Sequence, residues 1–234
     1  MKEPILLLTR PREFADRFVE SLDEHVLKST QIVISSLLEI VGTGVDPDLE
    51  IYDGVIFTSG QGVKFARVGA GKQACCVGET TTQSALAAGW NVIKMASTVD
   101  ELFEQMVKDK LQGRFVHLAG RHQRGNIAGR LEKTGVSVDL VTLYEQHLLP
   151  LSDEAYSALS LGRPVIAPLF SPRTASHFAT QVIDTSHIHI VAMSDAVAKA
   201  FGNKTVAGML IADAPTGQEM RRCVEKLLLN GGLA

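Results

Sequence analysis

Residues 55–62 read VIFTSGQG: an apolar run ends in Thr58 and Ser59, and a helix-like pattern follows. A short apolar run bounded by turn residues is typical of a buried strand. Strands that alternate with helices predict an α/β protein with parallel sheets and right-handed crossovers. The same features recur in ILLLTRP (5–11), ACCVGETT (74–81), FVHLAGRH (115–122), IAPLFSPRT (166–174), IVAMSDAV (190–197) and MLIADAPTG (209–217).

These strand–helix units fall into two similar series, which indicates two related domains. Ser59 ends a strand in the first series, and Ser171 ends one in the second. Gly78 and Ser194 then occupy matching positions at the end of a later strand in each series. Chance similarity between strand–helix units is the alternative explanation.

Two extended apolar runs, at 31–42 and 138–148, flank the first series. We expect them to pair as two strands that connect the domains. Such a connection allows hinge motion, and a ligand is expected to bind in a cleft between the domains. The predicted domains are residues 1–36 with 150–234, and the inserted residues 43–137, with 37–42 and 138–149 as the connecting strands.

The bulk composition favours a cytosolic globular protein. The chain has 234 residues, enough for two domains with their own cores, and a formal net charge of −3. Nucleic-acid binding normally needs a strongly basic face, so a nucleic-acid partner is not expected. No segment has the run of about 20 apolar residues that a membrane helix needs. Three cysteines without a disulfide framework or zinc-type spacing fit a reducing compartment, and we expect a cytoplasmic location.

No motif in the chain predicts a cofactor or a metal. The glycine-rich stretch 68–72 (VGAGK) follows a helix rather than a strand and lacks the spacing of a dinucleotide or phosphate loop. His187 and His189 share a strand face, but no third ligand stands at a recognised spacing, so a structural role is favoured. Ser59 and Ser171 have no evident catalytic partners and are interpreted as helix caps or hydroxyl donors.

Arginines close to the strand ends point to an anionic ligand. Arg10, Arg121 and Arg173 each lie within two residues of a predicted strand end. Arginine binds carboxylate and phosphate through paired hydrogen bonds, and helix N-termini add N–H donors and partial positive charge. Any one of the three taken alone is equally compatible with an ordinary surface arginine.

Tyr144 lies on the second extended run. In a regular strand it shares a face with Val138, Leu140 and Thr142, from which it can point into the cleft. A phenol can donate a proton or orient a leaving hydroxyl, although its ordinary pKa of about 10 makes it a weak acid. The alternative is a half-buried tyrosine that serves only the packing of the strand.

Six stretches spread over nearly the whole chain match a known family together: LLLTRPRE (6–13), DGVIFTSGQGVKFA (53–66), CVGETTTQSALAAGW (76–90), HLAGRHQRGNIAGRLEKTGVSVDLVTLYE (117–145), FSPRTASHFA (170–179) and ADAPTGQEM (212–220). On these residues the chain resembles the uroporphyrinogen-III synthase family. The resemblance implies two flavodoxin-like domains, with doubly wound parallel sheets, joined by a two-stranded ladder.

The resemblance also implies an activity without metal or organic cofactor. Hydroxymethylbilane, a linear tetrapyrrole with several carboxylates, loses its hydroxyl and closes through a spiro intermediate with inversion of its last ring. The family's tyrosine, thought to assist loss of the hydroxyl, is matched by Tyr144. Substrate-binding roles carry over to Thr9, Arg10, Thr58, Ser59, Gly78, Arg121 and Ser171. Arg173 and Ser194, at equivalent strand ends, complete the predicted set.

The chain departs from the family pattern at three places. Gln61 stands where Asn is common, Phe170 where Thr is common, and Ala119-Gly120-Arg121 replaces a more usual Arg-Gly turn. The predicted protein is a monomeric cyclising lyase, with the enzyme that makes its substrate as a candidate partner. A two-domain protein that binds an anion without catalysis stays open as the alternative.

Overall fold

The computed structural model describes residues 3–123 and 125–229, which form an alternating series of strands and helices. In chain order these are β1 (Ile5–Leu8), α1 (Arg12–Glu20), α2 (Glu24–Lys28), β2 (Gln31–Ile34), β3 (Leu38–Gly42), β4 (Gly54–Phe57), α3 (Gly60–Phe65), β5 (Gln73–Val77), α4 (Glu79–Ala87), β6 (Asn91–Ala96), α5 (Val99–Lys108), β7 (Arg114–Gly120), α6 (Ile127–Glu132), β8 (Ser137–Leu148), α7 (Asp153–Ser160), β9 (Val165–Leu169), α8 (Pro172–Gln181), β10 (Ile188–Ala192), α9 (Asp195–Phe201), β11 (Gly208–Ile211) and α10 (Gly217–Leu229). All seven predicted strand ends are confirmed, each followed by a helix.

The chain divides into two compact units. Unit 1 holds the described residues up to Glu39 and from His147 onward, and unit 2 runs from Ile40 to Gln146. The two boundaries fall inside β3 and β8, so the chain passes between the units within these two strands.

Unit 1 contains one parallel sheet in the order β2-β1-β9-β10-β11, which is the flavodoxin-like strand order. Helices cover both of its faces. α1 and α10 pack on one face through Phe18, Met220 and Val224, and α7, α8 and α9 pack on the other. The central strands β1, β9 and β10 are buried on both sides, which explains why their sequences, apart from His189 of β10, are apolar runs rather than alternating ones.

Unit 2 contains a second sheet in the order β3-β8-β7-β4-β5-β6. The neighbouring strands from β8 through β7, β4 and β5 to β6 all pair in parallel. β4, the first of these five in the chain, lies in the middle with two strands on each side, which is the other common doubly wound order. α3 and α4 pack on one face and α5 and α6 on the other. The predicted α/β architecture with two doubly wound parallel sheets is confirmed.

The apolar run at 31–42 divides between two sheets. Residues 31–34 pair in parallel with β1, whereas β3 pairs with β8. The Thr43 N–H donates to the Leu143 carbonyl and the Leu149 N–H to the Leu37 carbonyl, so β3 and β8 run antiparallel. Of the first run, therefore, only residues 38–42 pair with the second run as expected. Residues 31–34 instead form the edge strand of the unit 1 sheet.

Threonine side chains cap the starts of α5 and α10. The Thr98 hydroxyl accepts from the Glu101 N–H at 3.1 Å, and the Glu101 carboxylate accepts from the Ser97 N–H at 2.7 Å. At the start of α10 the Thr216 hydroxyl accepts from the Glu219 N–H at 3.2 Å. The two threonine bonds satisfy N–H groups that the first turn of a helix leaves unpaired, and the Glu101 bond satisfies an N–H just before the helix. Among the described residues no helix is both long and apolar enough to cross a membrane.

Candidate functional site

Each sheet has one point at which the strand order reverses, and ligands of open α/β sheets bind outside the carboxyl ends of the strands at that point. In unit 1 the point lies between β1 and β9, and in unit 2 between β4 and β7. Nine of the ten predicted site residues lie shortly after the carboxyl end of a strand. These strands are β1, β9 and the adjacent β10 in unit 1, and β4, β7 and the adjacent β5 in unit 2. Tyr144 lies on β8 itself. The unit 1 donor set is Thr9, Arg10, Ser171, Arg173 and Ser194, and the unit 2 donor set is Thr58, Ser59, Gly78, Arg121 and Tyr144.

Arg10 is the central cation of the unit 1 donor set. Its guanidinium carbon lies 3.9 Å from the centroid of the Phe170 ring and 5.3 Å from that of Phe14. Burial lowers the pKa of Arg10 to about 10, and the neighbouring charge of Arg17 adds to this effect. Phe170, which stands where the family commonly has threonine, therefore supports the arginine with an aromatic face.

Thr9 does not offer its side chain to a ligand. It is fully buried, and its hydroxyl has no hydrogen-bond partner among the described residues. The Thr9 carbonyl accepts from the Leu37 N–H at 3.0 Å. This residue therefore joins β1 to the segment after β2, and its hydroxyl is enclosed rather than directed outward.

Ser171 and Ser194 both precede helices but differ in what their hydroxyls do. The Ser171 hydroxyl accepts from the Thr174 N–H at 3.1 Å and is 2.9 Å from the Thr174 hydroxyl, so it caps α8. The Ser194 hydroxyl makes no capping bond to α9. Arg173 lies in the first turn of α8 and is partly buried. Of the two serines, Ser194 has the hydroxyl that is available to a ligand.

Thr58, directly after β4, is in hydrogen-bond contact with a buried histidine that was not predicted from the sequence. His117 Nε2 lies 3.1 Å from Thr58 Oγ1, and His117 is 1% exposed. Burial lowers the pKa of His117 to about 4, so the ring is neutral near neutral pH. Its Nδ1 is enclosed and has no partner among the described residues. His117 therefore interacts through Nε2 alone.

The neighbouring turns supply backbone groups and caps. The Ser59 hydroxyl accepts from the Gln61 N–H at 3.2 Å and caps α3. Gly78 directly precedes α4 and has a φ of +84°, and a Cβ atom built there would meet no atom within 4 Å. Its conformation is one that L side chains rarely adopt, and the space beside it is open.

Packing contacts hold the ring of Tyr144 in place, whereas its hydroxyl is accessible. The ring stacks on Phe65 with centroids 5.6 Å apart, and the residue is 6% exposed. A Cβ atom at Gly120 would lie 2.5 Å from the ring, so only glycine fits beneath it. The Tyr144 hydroxyl bonds to no other described residue and is not among the enclosed polar atoms. This arrangement holds a phenol in one orientation with its oxygen accessible.

The face that Tyr144 occupies differs from the expected one. Val138 packs with α5 and α6, whereas Tyr144 packs on the opposite face with α3 and α4. The register of β7 and β8 shifts between Ala119 and Gly120, so that Ala119 pairs with Thr142 and Gly120 with Tyr144. The prediction that Tyr144 shares a face with Val138 was wrong, because this irregularity reverses the alternation of side chains.

Arg121 follows β7 and is held by an acidic neighbour. Its backbone N–H donates to the Tyr144 carbonyl at 3.0 Å, and its guanidinium Nε donates to Glu145 Oε1 at 2.7 Å, with Nη2 on the same oxygen. Both side chains are partly exposed, so this pair contributes little to stability. A carboxylate ligand at Arg121 would compete with Glu145.

His117 was not singled out from the sequence, and Gly120 and Phe170 were noted only as parts of departures from the family pattern. Each has a signal in hindsight: a histidine inside the apolar strand FVHLAG, a glycine at its end, and an aromatic residue directly after β9. Within the described chain, no group of three or more His, Cys, Asp or Glu side chains is placed to hold a metal ion.

The fold defines the class of the protein: an α/β protein with two doubly wound parallel sheets, each with polar side chains after its strand ends. The profile of one family, described as HEM4: Uroporphyrinogen-III synthase HemD, matches residues 26–221. The chain belongs to the uroporphyrinogen-III synthase family, whose members are cyclising lyases of porphyrin biosynthesis. Curated protein sequences contain no match to it.

Solved structures of the same family share the fold. The uroporphyrinogen-III synthetase of Helicobacter pylori superposes with a TM-score of 0.64 at 15% identity, covering 97% of this chain and 100% of the other. A mutant uroporphyrinogen III synthase of the extremely thermophilic bacterium Thermus thermophilus gives a TM-score of 0.54 at 11% identity, covering 95% and 98%. At these identities the likeness supports the fold alone.

Proposed function

We propose that this chain converts hydroxymethylbilane to uroporphyrinogen III, and that members of its donor sets other than the enclosed Thr9 hydroxyl bind the carboxylates of that substrate. The observation that carries this proposal is the placement of arginines and accessible hydroxyls at the switch points of both sheets, in a chain of this family. A linear tetrapyrrole with several carboxylates needs several donors, and each sheet has such donors after its strand ends.

Within unit 1, Arg10 and Ser194 are the proposed contacts. Arg10 is a partly buried cation on an aromatic support, and a carboxylate beside it would offset the cost of its burial. The Ser194 hydroxyl makes no capping bond and can donate to the same ligand. Ser171 and Arg173, in the first turn of α8, are proposed as further contacts through that turn.

Within unit 2, Thr58 is the proposed hydroxyl donor, with the turns at Ser59 and Gly78 supplying backbone N–H groups. Arg121 is the proposed cation, exchanging Glu145 for a substrate carboxylate. The open space beside Gly78 allows a ligand to approach the backbone closely.

Tyr144 is the proposed catalytic residue. Its accessible hydroxyl is placed to hydrogen-bond the departing hydroxyl of the substrate, while Phe65 and Gly120 fix its ring. Loss of that hydroxyl develops charge on the leaving oxygen, which an oriented O–H donor stabilises. Closure at the inverted ring then depends on holding the chain ends in the required orientation rather than on a strong acid or base.

We also propose that the protein acts in the cytoplasm as a monomer and receives its substrate from the enzyme that makes it. The cysteines support a reducing compartment, since Cys75, Cys76 and Cys223 are all buried and none forms a disulfide. Such thiols need no oxidising environment to reach their folded state.

The deciding experiment incubates the purified protein with hydroxymethylbilane and separates the product isomers after oxidation. The expected result is uroporphyrinogen III formed faster than the spontaneous symmetric isomer. Formation of only the symmetric isomer, at the rate seen without protein, would refute the proposed activity. A protein that binds the tetrapyrrole but leaves this rate unchanged would instead be an anion-binding protein.

A further inference from the structure

A groove between α1 and α10 of unit 1 brings three arginines together. Its volume is about 510 Å³, and its lining includes Arg10, Arg17 and Arg221 with Phe14 and Gln218. No carboxylate side chain is among the described residues of the lining. The described side chains that line this space are therefore cationic or uncharged.

Arg10 carries the charge that the fold leaves without a partner. In the part of the chain that the structure describes, no carboxylate lies within ion-pair distance of Arg10, and the charge that acts on it in the groove is that of Arg17. Its contacts are instead the rings of Phe14 and Phe170. A partly buried cation without a counter-charge costs stability, and a bound anion would recover it.

Arg17 and Arg221 are held on the walls of the groove. Arg17 Nη2 lies 2.8 Å from Glu13 on the preceding turn of α1, and Arg221 Nη1 donates to the Ser21 carbonyl at 3.0 Å. Arg221 also lies 3.8 Å from Glu225 on the following turn of α10. These contacts restrict both guanidinium groups, so less side-chain ordering is needed when an anion binds. Their acidic neighbours Glu13 and Glu225 are not among the residues that line the groove.

The first turn of α10 adds to the same field. Gly217 and Gln218 begin this 13-residue helix and belong to the groove lining. The N-terminus of a helix carries partial positive charge, and it acts here together with the three arginines.

We propose that the Arg10–Arg17–Arg221 groove is a carboxylate subsite that binds one acidic side chain of the tetrapyrrole. The identity of this ligand rests on the proposed function, whereas the groove itself rests on its own geometry. Arg17, Gln218 and Arg221 are thereby added to the binding residues of unit 1. Inorganic phosphate has the same chemistry and is the alternative source of the anion.

The test compares the variants Arg17→Gln and Arg221→Gln, and the double variant, with two matched controls. Arg12→Gln removes an arginine from the same helix as Arg17 that pairs with Asp16 outside the groove. Arg222→Gln removes the neighbour of Arg221, which pairs with Glu219 and Asp213. Binding of uroporphyrin III and of inorganic phosphate is measured by isothermal titration calorimetry, alongside the KM for hydroxymethylbilane.

Loss of a charge-assisted hydrogen bond weakens binding about tenfold, so each groove variant should bind uroporphyrin III about tenfold less tightly. Both controls should bind as the wild type does, and KM should rise with little change in kcat. Arg221→Lys, which retains a cation, should recover part of the affinity. Thermal unfolding of every variant verifies that its fold is intact.

Unchanged uroporphyrin affinity in the folded double variant, with normal wild-type turnover, would overturn the subsite and leave the proposed function standing. A loss of phosphate binding alone would also overturn it, since the groove would then serve small inorganic anions. A wild type that neither binds uroporphyrin III nor turns over substrate would refute the proposed function itself, and with it the tetrapyrrole as occupant of the groove.

Discussion

His117 Nε2 and Thr58 Oγ1 lie 3.1 Å apart, on neighbouring strands of the unit 2 sheet. Because His117 Nδ1 is enclosed without a partner among the described residues, the two tautomers of the ring differ in cost. A proton on Nδ1 would leave a buried donor unpaired, whereas a proton on Nε2 leaves only an acceptor unpaired. Unpaired buried donors are the rarer and costlier of the two. The Nε2–H tautomer makes Thr58 the acceptor and leaves its own O–H free to donate to a ligand.

We expect the side-chain nitrogen chemical shifts of His117 to report protonation at Nε2 and not at Nδ1 near neutral pH. The measurement is a long-range proton–nitrogen correlation spectrum, with the assignment made by comparison with His117→Gln. The exposed His122 is the control residue, replaced in the same way. A proton found on Nδ1 would contradict the argument, because Thr58 would then donate to the ring and could only accept from a ligand.

The stability of the fold should depend on pH through His117. Burial lowers the pKa of this ring from 6.5 to about 4, so below pH 6.5 the unfolded chain binds a proton that the folded chain does not. Stability is therefore fully present above about pH 6.5 and falls as the pH decreases toward 4, by up to about 3 kcal/mol. Denaturant unfolding across this range measures it. His117→Gln should remove most of this slope, while His122→Gln should leave it unchanged.

Replacing Tyr144 by phenylalanine should reduce turnover more than binding. The Tyr144 ring keeps its contacts with Phe65 and Gly120, and only the hydroxyl is lost. We expect kcat to fall about tenfold or more, the value of one hydrogen bond made mainly in the transition state, with KM nearly unchanged. Steady-state assay of uroporphyrinogen III formation checks this. Tyr156→Phe, on α7, is the control, and an equal loss in affinity and turnover would make Tyr144 a binding residue instead.

Gly120→Ala should impair the same step indirectly. The added Cβ would lie 2.5 Å from the Tyr144 ring, so the ring must move or the strand must distort. We expect a loss in kcat similar to that of Tyr144→Phe, together with destabilisation of about 1–3 kcal/mol from overpacking. In the double variant, Gly120→Ala should reduce kcat no further than Tyr144→Phe does alone. Additive losses in kcat would show that Gly120 acts by a route other than Tyr144.

The strand ends and helix caps were predictable because their signals are local. A buried run followed by a serine or glycine specifies a strand, a turn and a helix start within a few residues, as at Ser59 and Gly78. The orientation of Tyr144 was not predictable in this way. It depends on a shift of register against β7, which is a property of the strand pair and not of the alternation in β8. Likewise, the bond from the Leu37 N–H to the Thr9 carbonyl joins residues distant in sequence, and no local pattern around Thr9 indicates it.

The two strand-end serines of unit 1 provide the last prediction, since they occupy similar positions but have different bonds. The Ser171 hydroxyl caps α8, whereas the Ser194 hydroxyl makes no cap bond to α9. Ser171→Ala should therefore lower the free energy of unfolding by about 1 kcal/mol, while Ser194→Ala should leave it nearly unchanged.

Substrate binding should show the reverse order. A Ser194 hydroxyl that is not used by the helix is available to a carboxylate, so Ser194→Ala should raise KM several-fold in a protein of wild-type stability. Ser171→Ala should raise KM less, because its hydroxyl is already engaged by Thr174. Denaturant unfolding and steady-state assay of both variants separate the two effects. If Ser194→Ala destabilises the fold and leaves KM unchanged, its hydroxyl serves the helix after all, and the unit 1 donor set loses Ser194.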